Sequence, residues 1–169
     1  FAVNMTDELI FAREIAESVR YRDDIVNTGS PAMVGPGLRH SSLSNNLRIS
    51  PKVTPGLHRV VMTAIRRLRI PVATVESFVY SSPEHQATCS YESYKSCVLP
   101  ISSGLVELLE PEELSFVVGH ELGHFLLNHP ANAHLVSPNV SELMLANQQA
   151  ELSADRVGLI ACDSIDVAV

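Results

Sequence analysis

The sequence predicts an α+β fold. Stretches with apolar residues at helical spacing bracket a middle region of short alternating runs rich in Val, Phe and Tyr. Apolar residues make up 46% of the 169 and charged residues 18%, enough to build one hydrophobic core and too apolar for a disordered chain.

Residues 5–26, MTDELIFAREIAESVRYRDDIV, form the first predicted helix. Thr6 caps it, Asp7 and Glu8 lie in its first turn, and Leu9, Ala12, Ile15, Ala16 and Val19 share a face. Residues 27–46 are rich in Gly, Pro, Ser and Asn and read as a long loop. Residues 1–46 are thus expected to be a helical arm and loop, with a regulatory role open to it, and 47–169 the main body. TPGLHRVVMTAIRRLR (54–69) predicts a helix capped by Thr54 with Pro55 at its first position. Its stripe is Leu57, Val60, Val61, Ala64, Ile65 and Leu68, and Arg66, Arg67 and Arg69 read as a solvated face near its end. VATVESFVYSS (72–82) and KSCVLPIS (95–102) read as strands, the second at a sheet edge or strand end because Pro100 cannot donate to a ladder. A helix from Pro111 to about 128 is apolar on nearly every side, which marks it as central and buried. A last helix runs from Pro138 or Ser141 to Ala161.

The net charge of −7 and the 5% aromatic content argue against nucleic acid as a partner, because neither phosphate neutralisation nor base stacking is provided for. Cys89, Cys97 and Cys162 show no C-x-x-C spacing. They read as small thiols in a reducing setting, with a Cys89–Cys97 bridge across a hairpin as the alternative. No apolar run reaches ~18 residues, so no segment of this chain is expected to span a membrane. The chain starts at Phe1 rather than Met and reads as a trimmed piece of a longer protein, cytoplasmic or membrane-associated.

The buried helix carries the chemistry. Within VVGHELGHFLLNH (117–129), His120 and His124 lie one turn apart and ~40° round the helix, so both imidazoles can reach one cation. Glu121 sits ~100° from His120, too far round to be a third ligand but able to reach a metal-activated water as general base. Two core histidines satisfied by hydrogen bonds are the alternative, so the third ligand matters. A metzincin-type ligand is excluded, because Leu127 and Pro130 stand where that pattern needs Gly and His. His129, ~140° round from His124, reads as a helix-end contact facing away rather than a ligand. His134 has no spacing argument, and His40, His58 and His85 read as ordinary surface or core residues. In QAELSADRVGL, Glu151 can complete a His–His–Glu site, and Asp155 one turn later can accept the remaining N–H of a ligating histidine. The small neighbours Ala150, Ala154, Val157 and Gly158 favour close packing against another helix.

SGLVELLEPEELSFVVGHELGHFLLNH followed by ELSADRVGL resembles the M48 family of zinc metallopeptidases, gluzincins with H-E-x-x-H and a later E-x-x-x-D. The resemblance runs from about Val53 to Val169 and includes the P-G-L helix start and FVYSSPEHQATC. It implies a zincin-like fold, with a small, mostly antiparallel sheet packed on the active-site helix. It also implies one zinc per chain held by His120, His124 and Glu151, with Glu121 as catalytic base and Asp155 in support. The implied activity is endopeptidase cleavage of a peptide or protein, bound as an extended strand along a sheet edge near Leu99–Leu105. Family members often carry a downstream His, Tyr or Arg that stabilises the tetrahedral intermediate. Here that group lies past Val169, or His129, His134 or an upstream residue replaces it. Many members are anchored in a membrane, and a parent protein with such a segment is compatible with this chain. A catalytically silent zinc-stabilised interaction domain and a latent protease with residues 1–46 in its cleft are the alternatives.

Overall fold

The computed structural model describes residues 46–93, 96–129, 140–162 and 164. The expected helix at 5–26, nearly all of the 27–46 loop, and His134 lie outside them. The elements are β1 (Leu47–Arg48), α1 (Pro55–Arg67), a 3₁₀ turn (Val72–Thr74), β2 (Val75–Tyr80), β3 (Ser90–Ser93), β4 (Ser96–Ser102), α2 (Ser103–Leu108), α3 (Pro111–Leu126) and α4 (Val140–Cys162). The fold is α+β.

The strands form one sheet in the order β1-β2-β4-β3. It is mixed, where a mostly antiparallel sheet was expected. Both flanking pairs are antiparallel, but the long central pair β2–β4 is parallel, from Val75 opposite Cys97 to Tyr80 opposite Ser102. β4 is therefore an interior strand, which corrects two expectations. The stretch Leu99–Leu105 offers no edge, since its first half lies between two strands and its second half begins α2. Pro100 is not at an edge either. Thr88 N–H donates to Pro100 O at 3.2 Å, but proline has no N–H to return the bond. The regular β3 ladder accordingly ends at Ser90, and the preceding residues meet β4 through an isolated bridge, Ala87 opposite Ile101, and through Ser102 N–H, which donates to Gln86 O at 2.9 Å. The Cys89–Cys97 bridge is not formed: Tyr91 lies opposite Cys97, which is a buried thiol.

Alternation along β4 sends Cys97, Leu99 and Ile101 to the face that packs with Val61, Ile65, Val118 and Leu122 of α1 and α3. Val98 and, on β2, Phe78 are buried on the opposite face. Burying side chains of this size contributes about 1.5–3 kcal/mol each.

Helix ends explain much of the geometry. The Thr54 hydroxyl does not cap α1; its Oγ1 accepts from Ser50 N at 3.0 Å and orders the approach to the helix. α1 closes with Ile70 N–H bonded to Ile65 O and Arg69 N–H to Arg66 O, both at 3.0 Å, around Arg69 at φ 55°. This is the Schellman closure, made here without glycine. Arg67 is not merely solvated: its guanidinium donates to Ala161 O near the end of α4 at 2.8 Å. The helix α2 was not anticipated. Ser102 Oγ caps it by accepting from Leu105 N, and also accepts from Gln86 N at 3.0 Å. A Cβ at Gly104 would lie 2.6 Å from Pro83 O, so only glycine admits the 83–86 loop this close. These contacts fix the segment that leads into β3.

Candidate metal centre and cleft

α3 is buried along one side through Leu114, Val118, Leu122, Phe125 and Leu126. A second strip, Gly119 and Gly123, meets Ala154, Val157, Gly158 and Ala161 of α4 with almost no side chain between the helices. Each glycine immediately precedes a histidine. The backbones therefore touch on the glycine strip, and the imidazoles emerge ~100° further round, beside α4 rather than under it.

The approach brings Glu151 to His120 and His124. His120 Nε2 and His124 Nε2 are 3.1 Å apart, His120 Nε2 is 3.4 Å from Glu151 Oε2, and His124 Nε2 is 3.7 Å from Glu151 Oε1. Donors bound to zinc at ~2.0–2.1 Å in a tetrahedron stand about 3.3 Å from one another. The three residues thus have the donor chemistry and the spacing to hold such an ion. His120 and His124 side chains are 18% and 22% exposed and Glu151 is 61% exposed, so the cluster opens to solvent on its α4 side. Asp155 Oδ1 accepts from His120 Nδ1 at 2.8 Å, leaving Nε2 as the donor atom toward the cluster.

Glu121 leaves α3 toward β3, where its Oε2 accepts the backbone N–H of Cys89 at 3.0 Å. Because Thr88 N–H turns in toward β4, Cys89 N–H turns out. Glu121 therefore sits against the open edge of the sheet. Burial pushes its carboxyl above the usual 4.5, with His120 and the Cys89 N–H pulling the other way. Burial, then the neighbouring His120, holds His124 below the usual 6.5 and keeps it neutral, the form that donates to a metal.

Thr88, Cys89, Tyr91, Glu121, His124, His129, Asn147, Ala150 and Glu151 line a cleft of about 260 Å³ between the β3 edge and α4. His129 belongs to it, against the expectation that it faces away. The helix stops at Leu126 instead of running on. Asn128 takes φ 53°, its N–H bonds Phe125 O, and His129 N–H returns to His124 O at 3.0 Å, a second Schellman closure. Its imidazole then lies against His124, Nδ1 to Nδ1 at 3.0 Å. Burial and the neighbouring histidines lower its pKa to about 4. Asn at 128 was the signal for this, since Asn tolerates the left-handed conformation that ends helices. Among the described residues no helix is long and apolar enough to cross a membrane.

Two imidazoles and a carboxylate converging with a second carboxylate beside them are the equipment of a metal-dependent hydrolase. The chain belongs to peptidase family M48, which its sequence matches over residues 51–165. Proteins named Protease HtpX homolog from Streptococcus pyogenes, serotype M5 (strain Manfredo) and serotype M49 (strain NZ131), are 29% identical to it over 83 residues. The match covers 49% of this chain and 27% of each relative's length. No solved structure matches the chain.

Proposed function

We propose that residues 47–169 are the peptidase core of a zinc-dependent endopeptidase with a zincin-like arrangement, preceded by the segment 1–46. The observation that carries the reading is the approach of His120, His124 and Glu151 donors to 3.1–3.7 Å, with Glu121 in the same cleft. His120, His124 and Glu151 would hold one zinc ion. Bound there, zinc supplies Lewis acidity, which acidifies water and polarises a carbonyl.

The rest falls to the chain's own groups. Asp155 orients His120. Glu121, fixed by Cys89 N–H and raised in pKa by burial, takes the proton from the attacking water as the new C–O bond forms, then delivers it to the amine as the C–N bond breaks. A peptide would lie extended beside the outer edge of Ala87–Tyr91, bonded through its backbone. That edge replaces the Leu99–Leu105 edge implied by the resemblance.

The test is peptide hydrolysis with and without a chelator, beside the metal content of the wild type and Glu121→Gln. The variant should keep zinc and lose at least ~10²-fold in turnover. A zinc-loaded wild type that cleaves nothing in a mixed peptide library would refute the enzymatic reading, and full activity in the variant would refute the role of Glu121.

A further inference from the structure

The hydrogen-bond partners around His129 are consistent with one assignment of the ring protons. The Ser153 hydroxyl lies 2.8 Å from Gln149 O and 3.0 Å from Ala150 O, so its proton is given to the α4 backbone. Its oxygen can then only accept from His129 Nε2, 3.1 Å away. His129 thus carries its proton on Nε2, and its Nδ1 is an acceptor. The group facing that acceptor at 3.0 Å is His124 Nδ1, which must be the protonated nitrogen of its ring. His124 Nε2 is then left with a bare lone pair, and that is the atom directed at His120 Nε2 and Glu151.

His129 is itself held from several sides. Its N–H bonds His124 O, its carbonyl accepts from the Tyr91 hydroxyl at 2.7 Å, and the Tyr91 ring rests on Phe125 with centroids 5.5 Å apart. The acceptor offered to His124 is therefore part of a braced turn joining α3, α4 and the sheet edge.

We propose that His129 is a positioning residue of the metal centre: it accepts the Nδ1 proton of His124 and so locks the tautomer and ring angle that present Nε2 to the ion. Asp155 does this for His120 with a carboxylate, whereas His129 and Ser153 do it for His124 with neutral groups. His124 is thereby orientated without a further negative charge on its side of the cleft. The inference rests on the reading of His120, His124 and Glu151 as a zinc site.

The experiment uses the full 169-residue chain. Zinc affinity is measured by competition with a chelator of known affinity for wild type, His129→Ala, His129→Asn and Ser153→Ala. The visible spectrum of each cobalt-loaded protein and the melting temperature of each metal-free protein are recorded beside it. Loss of a partner of this kind weakens metal binding by about 10–100-fold, and His129→Ala should fall in that range with a changed cobalt spectrum. Asn carries an acceptor where histidine has Nδ1, so His129→Asn should recover most of the affinity. Ser153→Ala, which leaves the His124–His129 contact in place but frees the far nitrogen, should show a smaller loss of more than about threefold. It decides the matter if His129→Ala does not fold. Zinc binding by His129→Ala within about threefold of wild type overturns the proposal. So does an Asn variant as weak as the Ala variant, which would make the residue a packing element only, and so does an unaltered affinity in Ser153→Ala. A wild type that takes up no zinc overturns this proposal together with the functional reading, whereas a zinc-binding wild type with indifferent variants overturns this one alone.

Discussion

Replacing Gly119 by alanine tests whether helix contact builds the site. A methyl there would overlap the Ala161 Cβ outright and lie 3.0 Å from Gly158 Cα and 3.3 Å from Val157 O. None of these atoms is the end of a flexible side chain, so no rotamer change relieves the contact. Carbon atoms pack at ~3.5–4.0 Å, so α3 and α4 must separate at that level by on the order of 1 Å. Overpacking of this kind costs about 1–3 kcal/mol, here toward the upper end. Alanine returns up to ~1 kcal/mol in helix propensity, which leaves a net loss of about 2 kcal/mol. At ~2–4 °C per kcal/mol for a chain of this size, the metal-free protein should melt about 4–8 °C lower. Gly56 is the control: a Cβ there meets nothing within 4 Å, so Gly56→Ala should melt at or slightly above wild type. Zinc affinity should fall with Gly119→Ala, because the displacement carries Glu151 and Asp155 away from His120. A Gly119→Ala protein melting at or above wild type would refute the claim that glycine-mediated contact sets the donor spacing.

Asp155→Ala should weaken zinc binding about 10–100-fold by releasing His120 Nδ1, as read by chelator competition, while an unchanged affinity would deny it that role. Zinc at ~1,000 times its dissociation constant should stabilise the wild type by about 4 kcal/mol and do nothing for His124→Ala, which thermal unfolding with and without zinc would show. Acid should destabilise the metal-free protein. His129 has a folded pKa of about 4 against an ordinary 6.5, so the folded state binds fewer protons than the unfolded state between those values. Its contribution is full above pH 6.5 and is lost as pH falls toward 4, and His124, also lowered, acts in the same direction. Glu121, raised above 4.5, acts oppositely, its contribution being lost as pH rises past that value. Urea unfolding across pH 4–7 should therefore show a loss at the acid end that His129→Asn reduces, and equal acid sensitivity in that variant would contradict the assignment.

The cluster of His120, His124 and Glu151 was legible in the sequence because helices have a fixed period. Four residues between His120 and His124, and four between Glu151 and Asp155, place each pair on one face whatever the rest of the chain does. The apolar surroundings of the first pair mark its helix as buried. The start of α3 at Pro111 and the β-branched runs of β2 and β4 were legible for the same local reason. Local periodicity does not carry sheet order, so Pro100 suggested an edge while the fold placed β4 between two neighbours. The open sheet edge moved with it, to the segment that Ser102, Ser103 and Gly104 hold in place through contacts about 16–21 residues away in sequence. A helix continued past Leu126 would turn His129 away from His124, whereas one left-handed residue at Asn128 turns the chain back on His124. The sequence by itself thus determined which of the candidate side chains share a helical face. Only the tertiary structure decided that the two faces meet, because the meeting depends on two glycines and four small residues fitting backbone to backbone across 30 or more positions of chain, a contact that no local period encodes.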